Sequence, residues 1–248
     1  MVSLKGVILA GGSGTRLSPI TKIVNKHFLP VGKYPMIYWA LLKLKEANVE
    51  NVLLIINEDD QPLYDKLIGD GRELGLNVTY KIQDEPLGIA HGVSLAKSFV
   101  GDSKFIVLLG DNLFQDSLKK AVSDFEKDQK VAHVFLKKVT NPIAYGIAEI
   151  DLKTNKISAI EEKPVNPKSD LCVTGIYLYD ASVFRYMKQL VPSQRGELEI
   201  TDLNNLLIKE GQLGYQMLNG WWIDAGTHES LYYANQLING DRKESKHE

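Results

Sequence analysis

Several short runs in this chain combine residue types that handle phosphate. The first is Leu9-Ala10-Gly11-Gly12-Ser13-Gly14-Thr15-Arg16-Leu17. Glycine at 11, 12 and 14 lets backbone N–H groups approach an anion without a Cβ in the way. Arg16 adds a fixed cation. The run is not a P-loop, because no Gly-Lys-Ser/Thr follows, and the third glycine of a dinucleotide fingerprint would fall at Leu17. An ordinary glycine turn is the competing reading. Lys26 offers a second cation, although a lysine before an apolar run is commonly a solvated surface residue. His27 reads as a packed histidine rather than a ligand.

Two aspartates follow apolar strands. Asp111 ends Leu108-Leu109-Gly110-Asp111-Asn112, and Asp224 ends Trp221-Trp222-Ile223-Asp224. Each could cap a turn or helix. A pair at strand ends would instead suit Mg²⁺, which binds through one or two carboxylates and substrate phosphates. Glu161-Glu162-Lys163-Pro164 is either a surface charge pair or a strand end at which Pro164 aims Lys163 at a ligand phosphate, with Glu162 accepting sugar hydroxyls. Gly175 in Val173-Thr174-Gly175 permits a close approach of ligand, or a bulge. The run from Ser193 to Asp202, with Arg195-Gly196 in its loop, reads in isolation as a surface loop before a helix. No serine–histidine or cysteine–histidine pair stands in a catalytic motif.

These residues need a scaffold. Gly6 to Ala10, Val52 to Ile56 and Phe105 to Leu109 are apolar runs without alternation, hence strands covered on both faces. Val78 to Ile82 alternates. Helical patterns follow Pro35, with an apolar face from Met36 to Ala47, and run from Ile89 to Phe99. This strand–helix order predicts an α/β fold: a Rossmann-like, open, mostly parallel mixed sheet flanked by helices. Strands expected at Val131 to Leu136, Gly146 to Ile150, Ile157 to Glu161 and Val173 to Tyr179 suggest an inserted mixed-strand lobe over the carboxyl edge, where such sheets bind ligands. Residues 151–156 read as a hairpin turn. Helices are expected over Ala181 to Leu190, Ile200 to Glu210 and Thr227 to Asn239, with Gly240 as the last stop. Residues 1–240 then form one domain, and 241–248 a polar, disordered tail.

Composition bounds the partners. The 248 residues are 44% hydrophobic and 24% charged, as in a soluble globular chain with one substantial core. Lysine and arginine total 29 against 31 acids. That balance argues against bulk binding of nucleic acid or of an anionic membrane. With Cys172 as the single cysteine, no intrachain disulfide or multi-cysteine zinc site can form. The opening MVSLKGVILAGG has no signal-peptide cleavage pattern and is too short to span a bilayer. A cytoplasmic location is expected.

In this order the motifs resemble those of the sugar-1-phosphate nucleotidyltransferases, from Lys5 through Ser230. The resemblance rests on Gly11-Gly12-Ser13-Gly14-Thr15-Arg16-Leu17, Lys26 through Tyr38, Leu109-Gly110-Asp111-Asn112, Glu161-Glu162-Lys163-Pro164, Val173-Thr174-Gly175, Arg195-Gly196-Glu197-Leu198-Glu199-Ile200-Thr201-Asp202 and Trp222-Ile223-Asp224-Ala225-Gly226-Thr227-His228. It is nearest to members that use thymidine nucleotides. It implies transfer from dTTP to glucose 1-phosphate, giving dTDP-glucose and pyrophosphate, in dTDP-rhamnose biosynthesis. It also implies that the glycine loop with Arg16 and Lys26 holds the triphosphate, that Gln83 and Gly88 read the pyrimidine, and that Asp111 and Asp224 hold Mg²⁺. Lys163 and Arg195 would hold the sugar phosphate, with Gly146, Glu162 and Thr174 around the sugar. A homo-oligomer and a short form without a C-terminal extension are expected. His27 and His91 depart from a common glutamine, and Ala225 from threonine. The alternatives are a uridylyl- or cytidylyltransferase of the same fold, or a nucleotide-sugar-binding regulatory subunit without catalysis.

Overall fold

The computed structural model describes residues 4–244. In chain order its elements are β1 (Lys5–Leu9), β2 (Pro30–Val31), β3 (Tyr34–Pro35), α1 (Met36–Glu46), β4 (Asn51–Ile56), α2 (Gln61–Leu67), β5 (Asn77–Ile82), α3 (Ile89–Leu95), α4 (Lys97–Val100), β6 (Phe105–Leu109) and β7 (Asn112–Phe114). There follow α5 (Lys119–Lys127), β8 (Ala132–Lys138), β9 (Gly146–Asp151), β10 (Lys156–Glu162), β11 (Leu171–Tyr179), α6 (Val183–Met187), α7 (Ile200–Lys209), β12 (Leu213–Met217), β13 (Trp222–Asp224) and α8 (His228–Glu244).

One nine-stranded mixed sheet carries the fold. Strands β5, β4, β1 and β6 lie side by side and parallel. The uniform apolarity of β4, β1 and β6 is used by both faces, as the absence of alternation requires, whereas β5 alternates at the sheet edge. Ile8, Leu54, Ile106 and Leu108 join one core with Leu41 and Leu44 of α1 and Tyr64 of α2. Val7, Leu53, Ile55 and Val107 join the other with Val93 of α3, Phe184 of α6 and Leu203 of α7. Strand order reverses around β1, which has β4 on one side and β6 on the other. Leu9 pairs with Ile55 and with Leu109, so the loops after β1 and β6 start side by side. Such a reversal opens a crevice at the carboxyl edge.

Beyond β6 the strands β8 to β11 expected in the mixed-strand lobe continue the same sheet, and β7 and β13 form a two-stranded sheet of their own. Tyr177 of β11 pairs antiparallel with Val107, and β11 also pairs with β8 and β9. Strand β11 can serve several neighbours because its register with β8 shifts between Val173 and Tyr177. The bend steers its first residues away from β6 towards the β9–β10 hairpin. That hairpin turns as expected: the Asp151 carboxylate accepts the Lys153 N–H at 2.8 Å, and Asn155 takes the left-handed conformation at φ 51°.

The expected stop at Gly240 is corrected. Helix α8 continues through it to Glu244. Glycine inside a helix costs about 1 kcal/mol relative to alanine but does not break it, and after Asp241 come Arg242, Lys243 and Glu244, all good helix formers. The remainder of the expected tail, residues 245–248, lies outside the described residues. The expected helix over 89–99 is two short helices that meet at Ala96.

Candidate active site

The loop after β1 is built around its glycines. Gly14 has φ 64°, and a Cβ there would lie 3.1 Å from Thr21 Cγ2 and 3.2 Å from Lys26 Cβ. A Cβ on Gly11 would lie 2.9 Å from Gln83 Oε1. Buried Leu17 anchors the turn Thr15–Leu17, which leaves Arg16 largely exposed with Nη2 3.8 Å from Asp224 Oδ2. Lys26 opens the turn Lys26–Phe28, capped by the Asn25 side chain. Its stem passes Gly12, and its amine donates to Asp111 Oδ2.

Asp111 and Asp224 meet because β7 and β13 pair, with Asp224 opposite Asn112. The Ala225 N–H donates to the Asp111 carbonyl at 2.9 Å. Asn112 is the buried hub: its amide nitrogen donates to Asp111 Oδ1, and its oxygen accepts from Trp222 Nε1 at 2.8 Å and from the Gly175 N–H at 2.9 Å. The two carboxylates differ electrostatically. Burial alone would raise Asp111, but the Lys26 charge together with the hydrogen bonds from Lys26 and Asn112 outweighs it and holds the carboxyl well below its usual range. Burial, with the Asp111 charge added, raises Asp224 to about 6. Asp224 Oδ1 is buried with no hydrogen-bond partner. Among the described residues no three or more His, Cys, Asp or Glu side chains cluster as a metal cage. Two carboxylates with one oxygen unsatisfied fit an ion that draws its remaining ligands from phosphate and water.

These groups face a cavity of about 310 Å³, whose lining includes Gly11, Arg16, Lys26, Gln83, Asp111 and Asp224. His27 also lines it and is 1% exposed. Burial pushes its imidazole down to about 3, so the ring is neutral. It is the packed histidine expected from sequence. The Gln83 amide lies 3.3 Å from His91 Nδ1. A larger cavity of about 660 Å³ adjoins at Gly11, Gln83 and Pro86 and includes Ser13. Gly14 and Thr15 shape the turn and line neither cavity.

Gly88 serves a close backbone approach. It has φ 99°, and a Cβ would lie 2.5 Å from the Leu198 carbonyl oxygen. The Leu198 N–H donates to Leu87, and its carbonyl accepts from Ala90. This docks the 193–199 loop against the 83–88 loop and brings Glu197 to the cavity.

A second cluster forms at the open end of the β9–β10 hairpin. Glu162 pairs with Gly146 and accepts from Thr201 Oγ1 at 2.8 Å. Lys163 has φ 45° and a half-exposed amine 3.8 Å from Glu162 Oε1. Arg195 is held by Glu199 through bonds of 2.9 and 3.0 Å and lies 4.0 Å from Glu162. The clusters touch through Tyr145, whose ring meets Trp222 edge-on at 5.5 Å; burial and the Asp224 charge raise its phenol. Thr174 is not brought to this cluster by its hydroxyl, which is buried and donates to the Phe135 carbonyl at 2.9 Å. Asn25 and Tyr145 were not singled out from sequence, and Thr201 only as part of the Arg195–Asp202 run; Asn25 carried a signal as a capping residue before a turn.

Among the described residues no helix is long and apolar enough to cross a membrane. Residues 5–240 match the model of the nucleotidyl transferase family. The glucose-1-phosphate thymidylyltransferase of Neisseria meningitidis is 42% identical over 95% of this chain and 82% of its own. The low-salt glycan biosynthesis nucleotidyltransferase Agl11 of Haloferax volcanii is 38% identical over 98% of this chain and 68% of its own. A crystal structure of a candidate glucose-1-phosphate thymidylyltransferase from Bacillus anthracis with sucrose superposes with a TM-score of 0.90, at 49% identity over 95% of both chains. A UDP-glucose pyrophosphorylase at 24% identity shares the fold, with a TM-score of 0.85. With a glycine loop, two cations and two carboxylates converging on one cavity, and a family match spanning nearly its whole length, this chain belongs to the nucleotidyl transferase family.

Proposed function

We propose that the protein transfers the thymidylyl group of dTTP to glucose 1-phosphate, releasing pyrophosphate. The observation that carries this reading is the meeting of Arg16, Lys26, Asp111 and Asp224 at one cavity. The names of relatives at about 40% identity supply the substrates.

The sugar phosphate is the nucleophile. With a second phosphate pKa of about 6 it is largely dianionic near neutrality, so no general base is required. One of its oxygens attacks the α-phosphorus as the bond to pyrophosphate breaks. The obstacle is repulsion between two anions. N–H groups at Gly11, Gly12 and Ser13, with Arg16 and Lys26, offset it on the triphosphate side, and Lys163 on the sugar-phosphate side. Mg²⁺, held by Asp111 and Asp224, would supply Lewis-acid stabilisation of the phosphates. Gln83 presents an amide to the pyrimidine edge. Glu162, steadied by Thr201 beside Gly146, offers a carboxylate to sugar hydroxyls, and Arg195 stands beside it. Alignment of attacking and leaving oxygens contributes much of the remaining acceleration.

The test is pyrophosphate release by purified protein supplied with Mg²⁺, glucose 1-phosphate and dTTP, UTP or CTP, with the nucleotide sugar identified by mass spectrometry. Release should require both substrates and give dTDP-glucose. Tight binding of dTDP-glucose without pyrophosphate release from any pairing would overturn the proposal in favour of a binding subunit.

A further inference from the structure

The turn that carries Lys26 is gripped from two sides by the start of one helix. On the polar side, Asn25 Oδ1 accepts both the His27 backbone N–H at 3.1 Å and the His27 Nδ1–H at 2.8 Å. Asn25 Nδ2 donates to Asp60 Oδ2 at 2.6 Å. A carboxylate only accepts, so this bond orients the amide, with nitrogen to Asp60 and oxygen to His27. Asp60 Oδ2 also accepts from Asn57 Nδ2 at 3.2 Å. Asp60 stands at the residue before α2, where an aspartate commonly caps its own helix. It makes no such bond; its carboxylate is turned to Asn25. On the apolar side, the Phe28 ring packs on Tyr64 of α2 with centroids 4.6 Å apart. Asp60 and Tyr64 thus fix the turn at both ends, and Lys26 is directed from it past Gly12 to Asp111.

We propose that Asp60 and Asn25 are positioning residues for the nucleotide triphosphate. They act through the Lys26–Phe28 turn, placing the Lys26 amine and the His27 ring at the cavity wall. This rests on the reading of Lys26 as a triphosphate ligand. Around metal sites, removing a group that orients a ligand costs tenfold or more, and the groups that orient the Lys26 turn are taken to act on the same scale. Its loss should appear in nucleotide affinity and not in affinity for the sugar phosphate, whose lysine lies on a different hairpin.

The experiment is calorimetric titration with dTTP and Mg²⁺, together with KM values for both substrates. The variants are Asp60→Ala, Asp60→Asn, Asn25→Ala, Lys26→Ala and the double variant Asp60→Ala/Lys26→Ala. Asp60→Ala and Asn25→Ala should each weaken dTTP about tenfold and leave the KM for glucose 1-phosphate within about twofold of wild type. Asp60→Asn keeps an acceptor oxygen and loses the charge, so it should cost less, about threefold. Residues that act as a unit are non-additive, so Asp60→Ala should add less than about twofold once Lys26 is alanine. A full second loss in the double variant would overturn the proposal, because Asp60 would then act independently of Lys26. Weak dTTP binding by Lys26→Ala, with wild-type binding by Asp60→Asn and Asn25→Ala, would overturn it while leaving the role of Lys26 intact. Wild-type binding by Lys26→Ala would remove the Lys26 assignment itself. Should Asp60→Ala fail to fold, Asp60→Asn and Asn25→Ala decide the matter.

Discussion

Replacing Asp224 with asparagine should stabilise the metal-free protein at neutral pH while removing most of its turnover. Burial and the nearby Asp111 charge raise the Asp224 carboxyl from an ordinary 3.8 to about 6. Between those values the folded chain holds a proton that the unfolded chain has released, so stability falls as pH rises through the window. About two pH units at about 1.4 kcal/mol each give a cost of about 3 kcal/mol at pH 7. The side chain is 23% exposed, so solvent screening makes about 2 kcal/mol the better figure. Asparagine keeps the shape and has no charge to desolvate. The stability gap between variant and wild type should be near zero at about pH 4 and reach its plateau above about pH 7. Asp111→Asn should behave oppositely. Asp111 contributes stability above its unfolded pKa, lost as pH falls towards its depressed folded value. The side chains of Asp111 and Lys26 are 10% and 13% exposed, and removing one partner of such a pair leaves a buried charge, at about 3 kcal/mol. Urea unfolding from pH 4 to 8 in EDTA measures the pH-dependent Asp224 gap and a constant Asp111 gap, whose loss lies below pH 4, and pyrophosphate release in Mg²⁺ measures turnover. An Asp224→Asn variant no more stable than wild type at pH 7.5, or an Asp224 gap that does not change with pH, would refute the argument.

Other substitutions separate the two substrate sides. Lys163→Ala should raise the KM for glucose 1-phosphate far more than that for dTTP, since a charge-assisted contact is worth about 1.5–3 kcal/mol; equal effects in steady-state kinetics would contradict the assignment. The Gln83 amide can accept from N3–H and donate to O4 of thymine or uracil, whereas cytosine presents the reverse pattern. The ratio kcat/KM should therefore be high with dTTP and UTP and low with CTP, and a preference for CTP would remove Gln83 from base reading. Gly88→Ala places a methyl 2.5 Å from the Leu198 carbonyl at a φ of 99°. It should lower Tm by about 5 °C and depress turnover at least about tenfold by displacing the loop of Glu197; unchanged Tm and turnover would show that this bridge is dispensable.

The parallel half of the sheet was legible because burial on both faces leaves an unmistakable pattern: Val52 to Ile56 has no polar position to hide. The antiparallel half was legible as strands but not as an arrangement. The neighbours of β11 depend on a register shift between Val173 and Tyr177, and no residue type announces where a strand bends. Strand β12 escaped notice because Gly214-Tyr215-Gln216 carries little apolar signal. Gly214 is there because a Cβ would lie 2.4 Å from His133 Nε2, a constraint visible only once β8 lies alongside. At Gly240 the sequence misled, since glycine after a helical pattern signals a stop only when the chain turns into the left-handed region.

Site residues were legible in proportion to how local their reason is. Gly14 and Arg16 share a loop, and their types state its chemistry. That Asp111 and Asp224 form one site depends on two strands of three residues each, β7 and β13, too short for any periodicity. What residue types leave undetermined is the charge state. Asp111 and Asp224 are the same amino acid after similar apolar runs, yet one lies against the Lys26 ammonium and the other has a buried oxygen with no partner. Lys26 reaches Asp111 because Asn25 and Asp60 fix its turn, and Asp60 follows a different strand. The chemical difference between the two aspartates is therefore a property of the assembled crevice, and substitutions remote in sequence, at Asp60 or Asn25, should alter it without touching either carboxylate.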